Sequence, residues 1–245
     1  GRDGQTTVGH LRAFEDWFPY VPGLKPKYIL AYIGINDRHL DQVDRSNYDR
    51  FKNLGPWSRT VRVMRGRSAL FHLWQTVTGT AAARFEGLGH GQHRVASTDP
   101  ATAESLWRPI APPPSLDELE VALRSKLDDY QDRVLNLIAR IRAFDAEAII
   151  VTQSKADYRM RDGSVYGRRR PYGTIDPGDY ATMAVFNRRA MQACRQAGAI
   201  CLDLGAELWF DDRDIYDICH TTPSGSAKIA DYLFEKLKDI IKTGG

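Results

Sequence analysis

The sequence predicts an α/β fold, a three-layer α/β/α sandwich around a parallel sheet. Short, nearly continuous apolar runs occur at Lys27–Gly34, Glu147–Gln153 and Ala199–Leu204. Amphipathic helical stripes alternate with them, at Leu116–Phe144, Asp179–Ala197 and after Thr222. Runs apolar throughout suit strands covered on both faces, and strands alternating with helices make a parallel sheet.

Taken in order, residues 5–18 read as a first helix, with Thr6 or Thr7 as its cap and an apolar stripe beginning Val8, Leu11, Phe14. Pro19, Pro22, Gly23 and Pro26 then break the chain before the strand at Lys27–Gly34. Residues 41–114 read as an insertion within a single domain spanning 1–245. It carries a helix near Arg59–Thr76, a Gly/His/Ala-rich stretch and the Pro-rich Pro109–Pro114. In the long helix, Leu116, Leu119, Leu123, Leu127, Tyr130, Val134, Ile138 and Ile141 recur at steps of three or four. Ser115 caps it, and Asp117 with Glu118 suits its positive end.

After the second strand, Ser154–Gly178 reads as a polar loop. The next helix puts Tyr180, Met183, Phe186, Ala190 and Cys194 on one face. The third strand, at Ala199–Leu204, follows. A last helix has Thr222 as cap, Pro223 at its first position, and Ile229, Leu233, Leu237 and Ile240 as its inner face.

Composition excludes several classes. With 42% hydrophobic and 27% charged residues, 12 Pro and 20 Gly, the chain is neither disordered nor collagen-like. Lys plus Arg is 34 against 31 Asp plus Glu, and a net +3 is too small for a nucleic-acid footprint. The longest strand-like apolar run, Tyr28–Ile35, is far too short to span a membrane, and no signal peptide is visible. Cys194, Cys201 and Cys219 match no zinc or redox spacing, so a disulfide-built fold is not expected.

In open α/β sheets, ligands bind beyond the carboxyl ends of the strands. Three segments fall there: Gly34-Ile35-Asn36-Asp37 after the first strand, Gly1-Arg2-Asp3-Gly4-Gln5-Thr6-Thr7 before the first helix, and Asp217-Ile218-Cys219-His220 before the last. Singly, each reads as an ordinary turn or helix entry. Together and in this order they resemble the blocks of the SGNH hydrolases, the GDSL-type esterases and lipases, which have a flavodoxin-like sandwich. The Gly4 segment resembles the second block, Gly34–Asp37 the third, and Asp217–His220 with Thr222 and Gly225 the fifth.

The resemblance implies a serine esterase cleaving small acyl esters without metal or cofactor, O-acetyl groups on carbohydrates among them. It implies that the Gly4 N–H and the Asn36 amide hold the oxyanion, that His220 moves the proton and that Asp217 orients its ring. These types suit acyl transfer. A glycine lets its N–H approach closely, an asparagine donates without charge, and an imidazole can take and return a proton. The family's nucleophilic serine, with its own strand, precedes the second block. No such block lies within Gly1–Gly245. Ser164, in Arg161-Asp162-Gly163-Ser164, lies in a polar loop after the wrong strand. The expectation is therefore a missing first strand: a truncated chain, a partner segment supplying strand and serine, or a homologue without a nucleophile. Alone, the chain is expected to be inactive and weakly stable, with an unpaired sheet edge. A signal or anchor would precede Gly1, which leaves the compartment open, extracytoplasmic included.

Asp37 reads as a structural partner of neighbouring loops, and Arg38 and His39 as a turn beside the cleft. Asp37 and Arg38 are carried as substrate-binding candidates together with Tyr166, Arg168, Arg169 and Tyr172, whose Arg- and Tyr-bearing loop suits a sugar better than a long acyl chain. Cys219 reads as filler, and His90 with His93 lacks a third ligand for a metal. Two other readings fit the same scaffold, an O-acyltransferase using an alcohol acceptor and an inactive binding module.

Overall fold

The computed structural model describes residues 5–40, 68–70, 73–74, 77–78, 107–110, 115–155, 158–161, 164–168, 177–211, 213–215 and 219–241. The chain forms two compact units, one of residues 1–49 and 108–209, the other of 50–107 and 210–245.

The first unit is α/β with a parallel sheet. Its strands are β1 (Tyr28–Ile33), β3 (Glu147–Thr152) and β6 (Ile200–Leu202), in the order β1–β3–β6. Tyr28 lies opposite Glu147 and Ile33 opposite Thr152, and Ile149–Val151 runs alongside Ile200–Leu202. The helices of this unit are α1 (Thr7–Asp16), α2 (Leu116–Ala122), α3 (Arg124–Ala143), α4 (Pro177–Gln196) and the short α5 (Leu204–Glu207). Ala148 and Ile150 join one core cluster with Val134, Ile138 and Ile141 of α3 and Phe186 and Ala190 of α4. Ile149 and Val151, on the opposite face of β3, are buried as well. Strand β1 departs from that pattern. Ile29, Ala31 and Ile33 face the cluster, but Leu30 on the other face is 41% exposed. Among the described residues no strand pairs with the outer edge of β1.

The stripe expected as one helix over Leu116–Phe144 is two. The backbone leaves helical geometry at Leu123 (φ −102°, ψ 12°), although Leu123 N still donates to Leu119 O and Leu127 N to Leu123 O. Ser115 caps α2, its Oγ accepting from Glu118 N at 3.3 Å. The segment expected as a polar loop, Ser154–Gly178, contains an antiparallel hairpin of β4 (Tyr158–Arg161) and β5 (Ser164–Arg168). Its sequence signal is Asp162-Gly163 between the two strands. A short strand β2 (Trp107–Pro109) flanks it, and Ile110 N donates to Val165 O at 2.8 Å. Of the helix expected near 59–76, residues 69–70 and 73–74 are helical, Ser68 is not, and the rest lies outside the described residues, as do His90 and His93.

In the second unit, α6 (Pro223–Leu237) begins at Thr222, whose Oγ1 accepts from Gly225 N at 3.3 Å. Leu237 is buried and Ile229 and Leu233 half-buried, but Ile240 lies past the helix and is 43% exposed, so it does not extend the inner face. Among the described residues no helix is long and apolar enough to cross a membrane.

One covalent link was not expected. Cys194 on α4 is bonded to Cys201 on β6, with Cα atoms 5.9 Å apart, and the exposed Cys219 is not disulfide-bonded. The seven-residue spacing has no motif because the approach is made by the turn at Ala197–Ala199, where Gly198 takes φ +60°. Alkylation of the unfolded chain should therefore label one thiol before reduction and three after, as read by mass spectrometry. Loss of the bond by Cys194→Ala with Cys201→Ala should cost about 2 kcal/mol in a denaturant melt, the value for so short a loop.

Candidate functional site

The carboxyl end of β1 turns sharply. Gly34 has φ +126°, a conformation glycine adopts at little cost. A Cβ there would lie 3.1 Å from Met183 Cε and 3.3 Å from Asn187 Oδ1, so helix α4 closes directly over this turn. The next residues are held from two sides. Ile35 N donates to Gln153 Oε1 at 2.7 Å, tying the turn to the end of β3. Asn36 Nδ2 donates to the carbonyl of Gln5 at 3.1 Å. An amide nitrogen carries two hydrogens, so this bond fixes the carboxamide and leaves one donor over. Asn36 itself is half-buried.

Asp37 is buried, 1% exposed. Its carboxylate accepts from Thr7 N at 3.1 and 3.2 Å and from Thr7 Oγ1 at 2.5 Å. Arg133 of α3 completes the cluster, with Nη2 3.8 Å from Asp37 Oδ1 and Nε donating to Thr7 Oγ1 at 3.0 Å. Burial pushes the Asp37 carboxyl up to about 6, while the Thr7 donors and the Arg133 charge oppose the rise. The same burial, with the Asp37 charge nearby, raises Tyr130 well above its ordinary value.

The segment resembling the third block is therefore brought against the segment resembling the second. Gly4 itself lies outside the described residues, and its neighbours Gln5 and Thr7 bond Asn36 and Asp37. Arg38 is turned inward, 9% exposed, its Nε donating to the Ile35 carbonyl at 3.1 Å. Of these two substrate-binding candidates, Asp37 is thus engaged by Thr7 and Arg133, and the Nε of Arg38 by the turn's own backbone. Tyr166 is half-buried on β5 opposite Arg159. Arg168 ends β5, and Arg169 and Tyr172 lie outside the described residues.

In the second unit, Asp217 lies outside the described residues and His220 is exposed. The His220 Nδ1 is 3.4 Å from Cys219 Sγ. The segment that carries them is closed at its base by a bridge between Ile215 and Thr221. Asp214 anchors that base. Its carboxylate accepts from Lys228 Nζ at 2.5 Å, Ser224 Oγ at 2.9 Å and Asp211 N at 2.9 Å, and its carbonyl from Thr222 N at 2.9 Å. Burial alone would raise Asp214, yet these donors hold it below the usual carboxylate range. A Cβ at Gly225 would fall 2.0 Å from the Asp214 carbonyl, so this helix entry accepts glycine only.

Sequence reasoning missed Thr7 and Arg133 as partners of Asp37, and Gln153 and Asn187 as supports of the turn. One signal was present. Arg133 sits three residues after Tyr130 and four before Leu137, a charge on the buried face of α3. A buried arginine needs an anion, and Asp37 is that anion. No protein-family model, curated protein or solved structure matches the chain.

Replacing Gly34 by alanine should lower stability by about 1–3 kcal/mol in a urea melt, from a left-handed φ and a crowded Cβ. The pH dependence has a definite sign. Between about 4 and 6 the folded chain keeps a proton on Asp37 that the unfolded chain releases, so this group's contribution to stability falls as pH rises through that window. The Tm difference between the parent and Asp37→Asn, measured from pH 4 to 7, should show that slope and flatten above it. A carboxyl titrating below 4 in carbon NMR would overturn the assignment.

Proposed function

We propose that this chain is an ester hydrolase of the SGNH type, a three-layer α/β/α sandwich acting on small acyl esters, with O-acetylated carbohydrate as the substrate class. The observation that carries the reading is the bond from Asn36 Nδ2 to the Gln5 carbonyl. It joins the two segments from which an oxyanion site of this type is made, residues 31 apart in the chain.

On this reading the carbonyl oxygen of the ester becomes a tetrahedral oxyanion when a serine alkoxide attacks. The spare hydrogen of the Asn36 amide and the N–H of Gly4 receive the negative charge. Because the amide is already fixed, no reorganisation is needed as the charge develops. His220 accepts the serine proton and returns it to the leaving alcohol, with Asp217 steadying the imidazolium. The family resemblance puts the serine on a strand before the Gly4 segment. The Cys194–Cys201 bond suits an oxidising compartment.

The test is hydrolysis of p-nitrophenyl acetate by the full-length gene product. Asn36→Ala should lower kcat by about 10²–10³, the usual loss for one oxyanion donor. His220→Ala should abolish turnover while the melt stays unchanged, and Cys219→Ser should keep it. Full activity in His220→Ala would end the assignment.

A further inference from the structure

Within the first unit, a cavity of about 250 Å³ opens between α4, the segment after β6, and Tyr158 of β4. At one end stand three aromatic rings. Tyr158 is buried, and it meets Tyr180 edge-on at 4.9 Å and Trp209 at 6.4 Å. Tyr180 and Trp209 are half-buried, so each keeps part of its ring toward the cavity. Planar polar groups line the rest. Asp203 uses Oδ1 to accept from Thr152 Oγ1 at 2.7 Å, which leaves its second oxygen as an acceptor. Asn187 is part of the wall rather than the rim, since its amide donates to the Gln153 carbonyl at 2.8 Å and its Oδ1 is buried toward the Gly34 turn. Arg195 is exposed and has no ion-pair partner among the described residues, unlike Arg188 nearby, whose charge is met by Asp117 and Glu120.

We propose that this cavity binds a saccharide ring. A pyranose has an apolar C–H face and a rim of hydroxyls that donate and accept at once. Tilted aromatic walls meet the face, and a carboxylate oxygen and a guanidinium meet the rim. Tyr158 crosses Tyr180 at 82° and Trp209 at 64°, so it stacks face to face on neither. The volume falls just below the range of about 300–1,000 Å³ for larger ligands, which sets the size at one or two rings. Carboxylate and guanidinium both reach the cavity, which suits a hydroxylated ring with no large net charge. The assignment does not rest on the ester chemistry, because binding is read without turnover.

The experiment is saturation-transfer NMR with methyl α-D-glucopyranoside, N-acetylglucosamine and D-glucuronate at millimolar concentration, with adenosine as the planar comparison. At least one sugar should receive saturation on its ring C–H protons. Trp209→Ala should remove the signal, and Arg195→Gln should weaken binding by about tenfold with an unchanged melt. Should Trp209→Ala fail to fold, Asp203→Asn and Arg195→Gln decide, since a cavity that binds sugar loses affinity with each. No transfer to any sugar, transfer insensitive to these substitutions, or adenosine bound in preference would overturn the proposal.

Discussion

The carboxylate of Asp37 is the constraint on which the candidate site depends. It takes both the N–H and the hydroxyl of Thr7 and lies beside the Arg133 guanidinium, so one buried anion joins the start of α1, the turn after β1 and the middle of α3. The ion pair at 3.8 Å is not the main source of its hold. A buried pair returns little net stability against two hydrophobic residues, whereas removing one partner strands the other and costs about 3–5 kcal/mol. The cluster therefore acts by making alternatives expensive. With Thr7 fixed, Gln5 has one place to be, and Asn36, next to Asp37, has its amide aimed by that carbonyl.

A second constraint works from below. Gly34 brings the chain over without a side chain, and Met183, Asn187 and Tyr130 fill the space that a Cβ would need. Asn187 serves two neighbours at once, for a Cβ at Gly205 would lie 2.2 Å from its Nδ2. The turn after β1 and the turn after β6 are thus packed on one carboxamide. Close packing of this kind turns the ends of two strands into a rigid floor, the condition for holding a donor in place before charge appears.

Much of the scaffold was legible because apolar periodicity reports burial directly. The strands at Tyr28–Ile33 and Glu147–Thr152, the α4 stripe, and the caps Ser115 and Thr222 all lie where the residues put them. What failed to show depends on contacts distant in sequence. The hairpin of β4 and β5 has polar strands with little alternation to mark them, and only Asp162-Gly163 pointed to it. The break at Leu123 leaves the apolar stripe intact, so the pattern cannot record it. Leu30 carries a core residue's chemistry on an open face, because the sequence of a strand says nothing about its neighbours. At the site, Asn36 was visible as a residue type in a familiar setting. Its fixing by Gln5, and the pairing of Asp37 with Arg133 across 96 positions, exist only once the chain has folded.

The bond between Cys194 and Cys201 spans the one tight connection between α4 and β6. Backbone opened at Gly198, by a protease or by moving the termini there, would still leave both halves joined through sulfur. The sheet's last strand would then remain tethered to its helix, and the two pieces would part only under reducing conditions.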